Sequence, residues 1–225
     1  MRNLYIVAGS QPPNRNSEIN GVPESVLGQF ELQFSLLESI ALKEKCTGFF
    51  CDGQDEEDAD SWESILEDYL KDESGFIKQL KEKQENLSVC EKLQLIFELR
   101  ELYMMRNIRQ NGLLIRYFPT DLKFNPNITR TIEERDYIIF QNILKYGEDN
   151  NILFIGYNHK LEEFAKKEHD FNFCRVNIPT YYQEAIMVEN LPERLYPLFD
   201  EYQKNKGFLV FVKNREKVRF LSELI

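Results

Sequence analysis

The chain has 225 residues, 42% of them hydrophobic, with 17 Phe and 11 Tyr. That is enough apolar material for one domain with a large core and too much for a disordered chain. A formal net charge of −10 and a pI near 4.9 argue against a nucleic-acid or anionic-membrane surface, which needs a basic face.

Four cysteines, Cys46, Cys51, Cys90 and Cys174, form no CxxC pair, so no zinc cluster is expected. No apolar run approaches the ~18 residues of a membrane span. The opening MRNLYIVAGSQPP lacks the long apolar region and small-residue cleavage site of a signal peptide, and the cytoplasm is the expected compartment.

Leu4 to Ala8 is a continuous apolar run closed by Gly9, the pattern of a central strand buried on both faces. Ser10 to Pro23 holds three prolines, three asparagines and a glycine and reads as a loop. Val26, Phe30, Phe34, Leu37 and Ala41 recur at spacings of four and three, one apolar helix face. Thr47 to Cys51 gives a second strand ended by Asp52-Gly53. Strand, loop, helix and strand make a βαβ unit.

From Gln54 to Glu73 an acidic stretch surrounds Trp62, Ile65, Leu66 and Tyr69, an amphipathic helix with a solvated face. Its start, Asp55-Glu56-Glu57-Asp58, lacks EF-hand spacing and reads as a solvated helix start. Helical character continues from Phe76 to Lys83. Ser88-Val-Cys-Glu91 has capping-box form and opens a helix through Tyr103. Three helices without a strand suggest an inserted helical subdomain over residues 55–110, of the kind that forms a lid.

The alternation then resumes. Leu113 to Phe118 is a strand stopped by Pro119, and Thr131-Ile-Glu-Glu134 is another capping box. Asn151 to Gly156 is a strand, Leu161 to Lys167 a short helix, and Phe171 to Ile178 a strand. A helix over Glu193 to Tyr202, a strand over Phe208 to Val212 and a closing helix from Arg215 complete the chain. The expectation is an α/β domain spanning residues 1–225, with a mostly parallel or mixed sheet flanked by helices.

In such sheets ligands bind beyond the carboxyl ends of the strands. Four ends matter: Gly9-Ser10-Gln11, Cys51-Asp52-Gly53, Gly156-Tyr157-Asn158-His159 and Asn177-Ile178-Pro179. His159 follows a strand and opens a helix; it is either a base or metal ligand, or a capping or solvent-facing residue. Asp136 shares a helix face with Ile132, Ile139 and Ile143, so its carboxylate needs a partner from another element. That partner is structural, or Asp136 reaches a site. Arg135 lies about 100° around the helix from it and opposes the helix dipole unless a carboxylate or ligand offsets it. Cys51 reads as an inert buried thiol. No glycine-rich phosphate loop or GxSxG elbow occurs.

The order of these pieces resembles the TraB/Tiki, ChaN-like and erythromycin-esterase-like proteins. Members of that group have a first strand running into GxxH, a second strand ending in an acidic residue, an Arg helix with an ERD-like start, and a strand ending in a second GxxH. Leu4 to Gly9, Thr47 to Asp52, Glu134-Arg135-Asp136 and Gly156-Tyr157-Asn158-His159 match in that order, over residues 4–165. Where the first motif would carry His, this chain has Gly9-Ser10-Gln11-Pro12, and where a glutamate ends the second strand it has Cys51-Asp52.

The resemblance implies that His159, Asp52, Arg135 and Asp136 cluster at one end of the sheet. It also implies chemistry of the kind associated with the group, namely metal-dependent proteolysis, macrolide ester hydrolysis or haem-related binding. The altered motif favours a catalytically degenerate member that binds a small molecule or protein, with Gly9, Ser10, Gln11, Gly156 and Asn158 lining the cleft. A binding module of this kind would carry an exposed apolar patch around Tyr181, Tyr182 and Met187.

The alternative is a hydrolase in which Asp52 and His159 hold a metal or activate water and Arg135 stabilises negative charge. It requires those side chains to converge within a few ångströms. A third reading is a nucleotide- or sugar-binding domain using backbone amides at Gly9 and Gly156. No cofactor is named by the sequence.

Overall fold

Strand β1, Arg2–Gly9, lies fourth in an eight-stranded mixed sheet. In this computed structural model residues 2–12, 24–83, 87–122, 129–165, 167, 171–178, 185–206, 209–214 and 217–220 are described. β1 runs parallel to β4, Asn150–Gly156, on one side and to β5, Phe171–Asn177, on the other. β2, Gly48–Cys51, pairs parallel with β4, and β3, Arg116–Phe118, is the parallel edge beyond it. Past β5 the direction changes. β6, Ala185–Glu189, pairs antiparallel with β5 and parallel with β7, Leu209–Asn214, and β8, Lys217–Phe220, closes the far edge antiparallel to β7.

Alternation along the central strands sends side chains to two apolar layers. Tyr5, Val7, Ile152 and Phe154 join the larger core with residues of α1, Glu24–Glu44, α2, Glu56–Lys71, and α4, Val89–Gln110. Leu4, Ile6, Ala8, Leu153 and Ile155 join a second core under α5, Ile132–Tyr146, and the single turn α6, Glu162–Ala165. Phe97 of α4 anchors the larger layer, with ring centroids 5.2, 4.9 and 5.5 Å from Phe30, Phe34 and Phe154. Burying each such ring contributes about 1.5–3 kcal/mol. Helix α3, Glu73–Lys83, completes the three helices between residues 55 and 110, and α4 places Leu102, Met105 and Ile108 in the same core as α1.

Both expected capping boxes form, Ser88 with Glu91 and Thr131 with Glu134, and a third joins Asp55 to Asp58. The acidic start at Asp55 therefore closes the open N–H groups of α2.

The remaining differences from the sequence pattern have local causes. β3 begins only at Arg116, because the carbonyl of Ile115 accepts from Arg109 Nε and Nη2 at 3.2 and 2.9 Å instead of joining the ladder. The closing helix expected from Arg215 is replaced by β8, where Val218 and Phe220 alternate with Lys217 and Arg219 in a two-residue repeat that pairs with β7. The 193–202 helix is a 3₁₀ turn, Glu193–Leu195, leading into α7, Tyr196–Lys206. β6 had no expected counterpart. Its buried Ile186 and Val188 alternate with half-buried Met187, so Met187 is a sheet residue rather than part of an exposed patch. Tyr181 and Tyr182 lie outside the described residues. Among the described residues no helix is long and apolar enough to cross a membrane.

Candidate functional site

The carboxyl ends of β1, β2, β3 and β4 face the first turns of α5, and charged side chains from all but β1 meet there. Asp52 ends β2. Gly53 follows it at φ 85, a left-handed conformation that glycine takes without strain. The turn is held by Thr120, which donates its hydroxyl to the Cys51 carbonyl at 2.6 Å, while Gln54 O accepts from Thr120 N and Asp121 N, each at 2.8 Å.

Asp52 is enclosed, its side chain 2% exposed. One oxygen accepts from Arg135 Nη2 at 2.7 Å. The other accepts from Gln11 Nε2 at 2.8 Å and lies 3.2 Å from His159 Nε2. Burial alone would raise the Asp52 carboxyl, but His159, Arg135 and Gln11 together hold it below its ordinary value.

His159 is 5% exposed. Its Nδ1 bonds Asp136 Oδ1, and the other Asp136 oxygen accepts the Lys160 backbone N–H at 2.8 Å. Asp136, itself 3% exposed on the apolar face of α5, finds its partners on the β4–α6 connection. Burial disfavours the imidazolium, yet hydrogen bonds and charge from Asp136 and Asp52 outweigh it and push the pKa of His159 up to about 9. A pKa near 9 favours the imidazolium at neutral pH, and each ring nitrogen faces a carboxylate.

Arg135 also places Nε 3.5 Å from Asp121 Oδ2, and Arg130 Nη1 lies 3.4 Å from Asp121 Oδ1. Arg135 thus meets two carboxylates from neighbouring strand ends, which offsets its place in the first turns of α5.

The other expected residues surround this network. A Cβ added at Gly156 would lie 3.6, 3.8 and 3.9 Å from His159 Cδ2, Asp52 Oδ2 and Gln11 Cδ, and Asn158 is exposed on the turn before His159. Ser10 is turned toward α1, its hydroxyl donating to Gln29 Oε1 at 2.8 Å and its carbonyl accepting from Gln33 at 3.2 Å. At Gly9 a Cβ would stand 2.5 Å from Gln33 Oε1 and 3.0 Å from Phe154 Cε2, so a side chain there would displace Gln33 and crowd the Phe154 ring. Cys51 is buried, its thiol pushed well up by burial and by Glu101, which fits the inert reading.

Two members of the arrangement were not singled out from the sequence. Arg175 of β5, 4% exposed, donates Nη1 to the His159 carbonyl at 2.8 Å and to Glu162 at 3.1 Å, Nη2 to the Tyr157 carbonyl at 3.3 Å and Nε to Asn177 at 2.9 Å. It clamps the turn that delivers His159. A lone cation in an apolar strand was the available signal. Asp121 was the other, and it stands at the end of β3, a fourth parallel strand end.

Asp52 meets Arg135 and His159, and both nitrogens of His159 are taken up by carboxylates. As donors to a metal the pair is occupied, and among the described residues no group of three or more His, Cys, Asp or Glu is arranged to hold a metal ion. An open cavity of about 520 Å³ lies on the outer side of α5, lined by Arg130, Thr131, Glu134, Tyr137, Ile138 and Phe164. None of Asp52, Asp136 or His159 lines it. No family model, characterised protein or solved structure matches this chain.

Proposed function

We propose that this protein is a catalytically degenerate α/β binding module, similar in plan to the TraB/Tiki and ChaN-like group. On this reading it recognises a small molecule or protein over the strand ends. The observation that supports it is the saturation of His159: one carboxylate on each nitrogen, with its pKa at about 9. An imidazolium held this way has no lone pair for a general base or a metal. Pro12 falls at the histidine position of the GxxH pattern, and Gln11 before it uses its amide to bond Asp52. The accessible polar groups are then the rim: Gln11, Asn158 and the half-buried Arg135.

A metal-assisted or water-activating hydrolase is the second reading. Convergence favours it, because Asp52, Arg135, Asp136 and His159 meet within hydrogen-bonding reach, as that reading requires. A screen with nitrophenyl esters and peptide amides, with and without added divalent metal, separates the two. A binding module shows no turnover that His159→Ala abolishes, whereas turnover lost in His159→Ala establishes the hydrolase. For the module, a cognate ligand raises the Tm with the logarithm of its concentration once that exceeds Kd, and Gln11→Ala with Asn158→Ala weakens that shift.

A further inference from the structure

Behind the turn that carries Asp52 lies a second polar cluster that neither reading uses. Glu101 of α4 is 1% exposed. Cys51 of β2 donates its thiol to Glu101 Oε2 at 3.8 Å, and the side chains of Tyr117 from β3 and Gln54 from the turn lie against the same carboxyl. Three buried atoms there have no hydrogen-bond partner: Glu101 Oε1, Gln54 Oε1 and Tyr117 OH. The charged groups facing the cluster are acidic: Glu98, one turn earlier on α4, and Glu63 of α2, which bonds Tyr117 N at 2.7 Å and Arg109 at 2.5 Å. Among the described residues no ion pair joins Glu101 to a cation. A buried carboxyl facing neutral groups and other acids keeps its proton, and a proton on Glu101 supplies a donor beside Gln54 Oε1, which has no partner.

We propose that Glu101 is a proton-operated switch for the Asp52 turn, closed while it is neutral and loosened when it ionises. Gln54 transmits the change. Its side chain touches Glu101, its backbone N–H donates to Thr120 Oγ1 at 3.1 Å, and its carbonyl holds Thr120 N and Asp121 N. The segments it ties together carry Asp52 and Asp121, the two carboxylates that Arg135 bridges. An ionised Glu101 draws in water and spreads these segments, so Arg135 loses one of its two partners. The switch holds whether the cleft binds or catalyses.

The test is a pH titration from 6 to 9.5 of backbone amide NMR signals in the wild type and in Glu101→Gln. Burial pushes the Glu101 carboxyl up to about 8. The signal of Gln54 should step around that pH in the wild type and lose that step in Glu101→Gln. Asp52 and Asp121 should keep in both proteins the step near 9 that contact with His159 imposes and show the step near 8 in the wild type alone. The same step surviving in Glu101→Gln, or its absence from the wild type, overturns the proposal. Should Glu101→Gln fail to fold, the side-chain carboxyl ¹³C signal of Glu101 in the wild type decides: a midpoint near 4.5 refutes the switch and one near 8 supports it.

Discussion

Asp136→Asn is the most informative single change. The amide keeps an oxygen for the Lys160 N–H but removes the negative charge from Nδ1 of His159. In the wild type the His159 pKa stands at about 9 against an ordinary 6.5, which at ~1.4 kcal/mol per unit corresponds to about 3 kcal/mol of net attraction for the proton. Losing one adjacent carboxylate should lower that pKa by ~1–3 units.

The sign of the stability effect follows by linkage. A histidine whose folded pKa is raised contributes stability that is fully present below pH 6.5 and is lost as pH rises through about 9. The variant should therefore be destabilised by roughly 2 kcal/mol at pH 6. Above pH 9.5 the deficit should shrink toward that of one lost neutral hydrogen bond, about 0.5–1.5 kcal/mol. Urea unfolding at pH 6, 7.5 and 9.5 measures this directly. A deficit that stays constant across the three pH values, with the His159 pKa unmoved, would refute the clamp between the two carboxylates.

Other outcomes follow from the same geometry. Arg175→Met removes a buried guanidinium that joins β5 to the His159 turn and to Glu162; about 3–5 kcal/mol should be lost, and a loss under about 1 kcal/mol would mean the turn holds itself. Gly9→Ala should cost about 1–3 kcal/mol by displacing Gln33 and crowding Phe154. The double change Gly9→Ala with Gln33→Ala should recover part of that cost in denaturant melts, and full additivity would count against the Gln33 contact. Glu101→Gln should stabilise the protein at pH 7 by an amount on the order of 3 kcal/mol. The folded carboxyl holds a proton that the unfolded chain releases between pH 4.5 and about 8, so wild-type stability falls across that window and the variant's does not. Equal slopes of stability against pH in both proteins would contradict this.

The alternation of apolar runs with amphipathic segments made the α/β class readable, because buried parallel strands and capped helices leave strong local signals. Leu4–Gly9, Gly48–Cys51 and the box at Thr131 needed no tertiary information. β8 and β6 were harder. Each is short, and Lys217 to Phe220 has enough charge to resemble a helix until its partner strand is known. Asp136 advertised itself as a carboxylate on an apolar helix face, which forced a partner from elsewhere; only the fold names that partner as His159 and Lys160 N. The roles of Arg175 and Glu101 depend on contacts 16 and 50 residues away in the chain, and no local pattern carries such contacts.

The protonation of His159 is the most direct test of the binding-module reading. The chain has two histidines, so a His169→Gln background leaves one imidazole to follow by ¹⁵N NMR. A locked imidazolium predicts protons on both ring nitrogens through neutral pH and a single step near 9. A step at or below 6.5, leaving one nitrogen bare at pH 7, would contradict the clamp and return His159 to service as a base in a hydrolase.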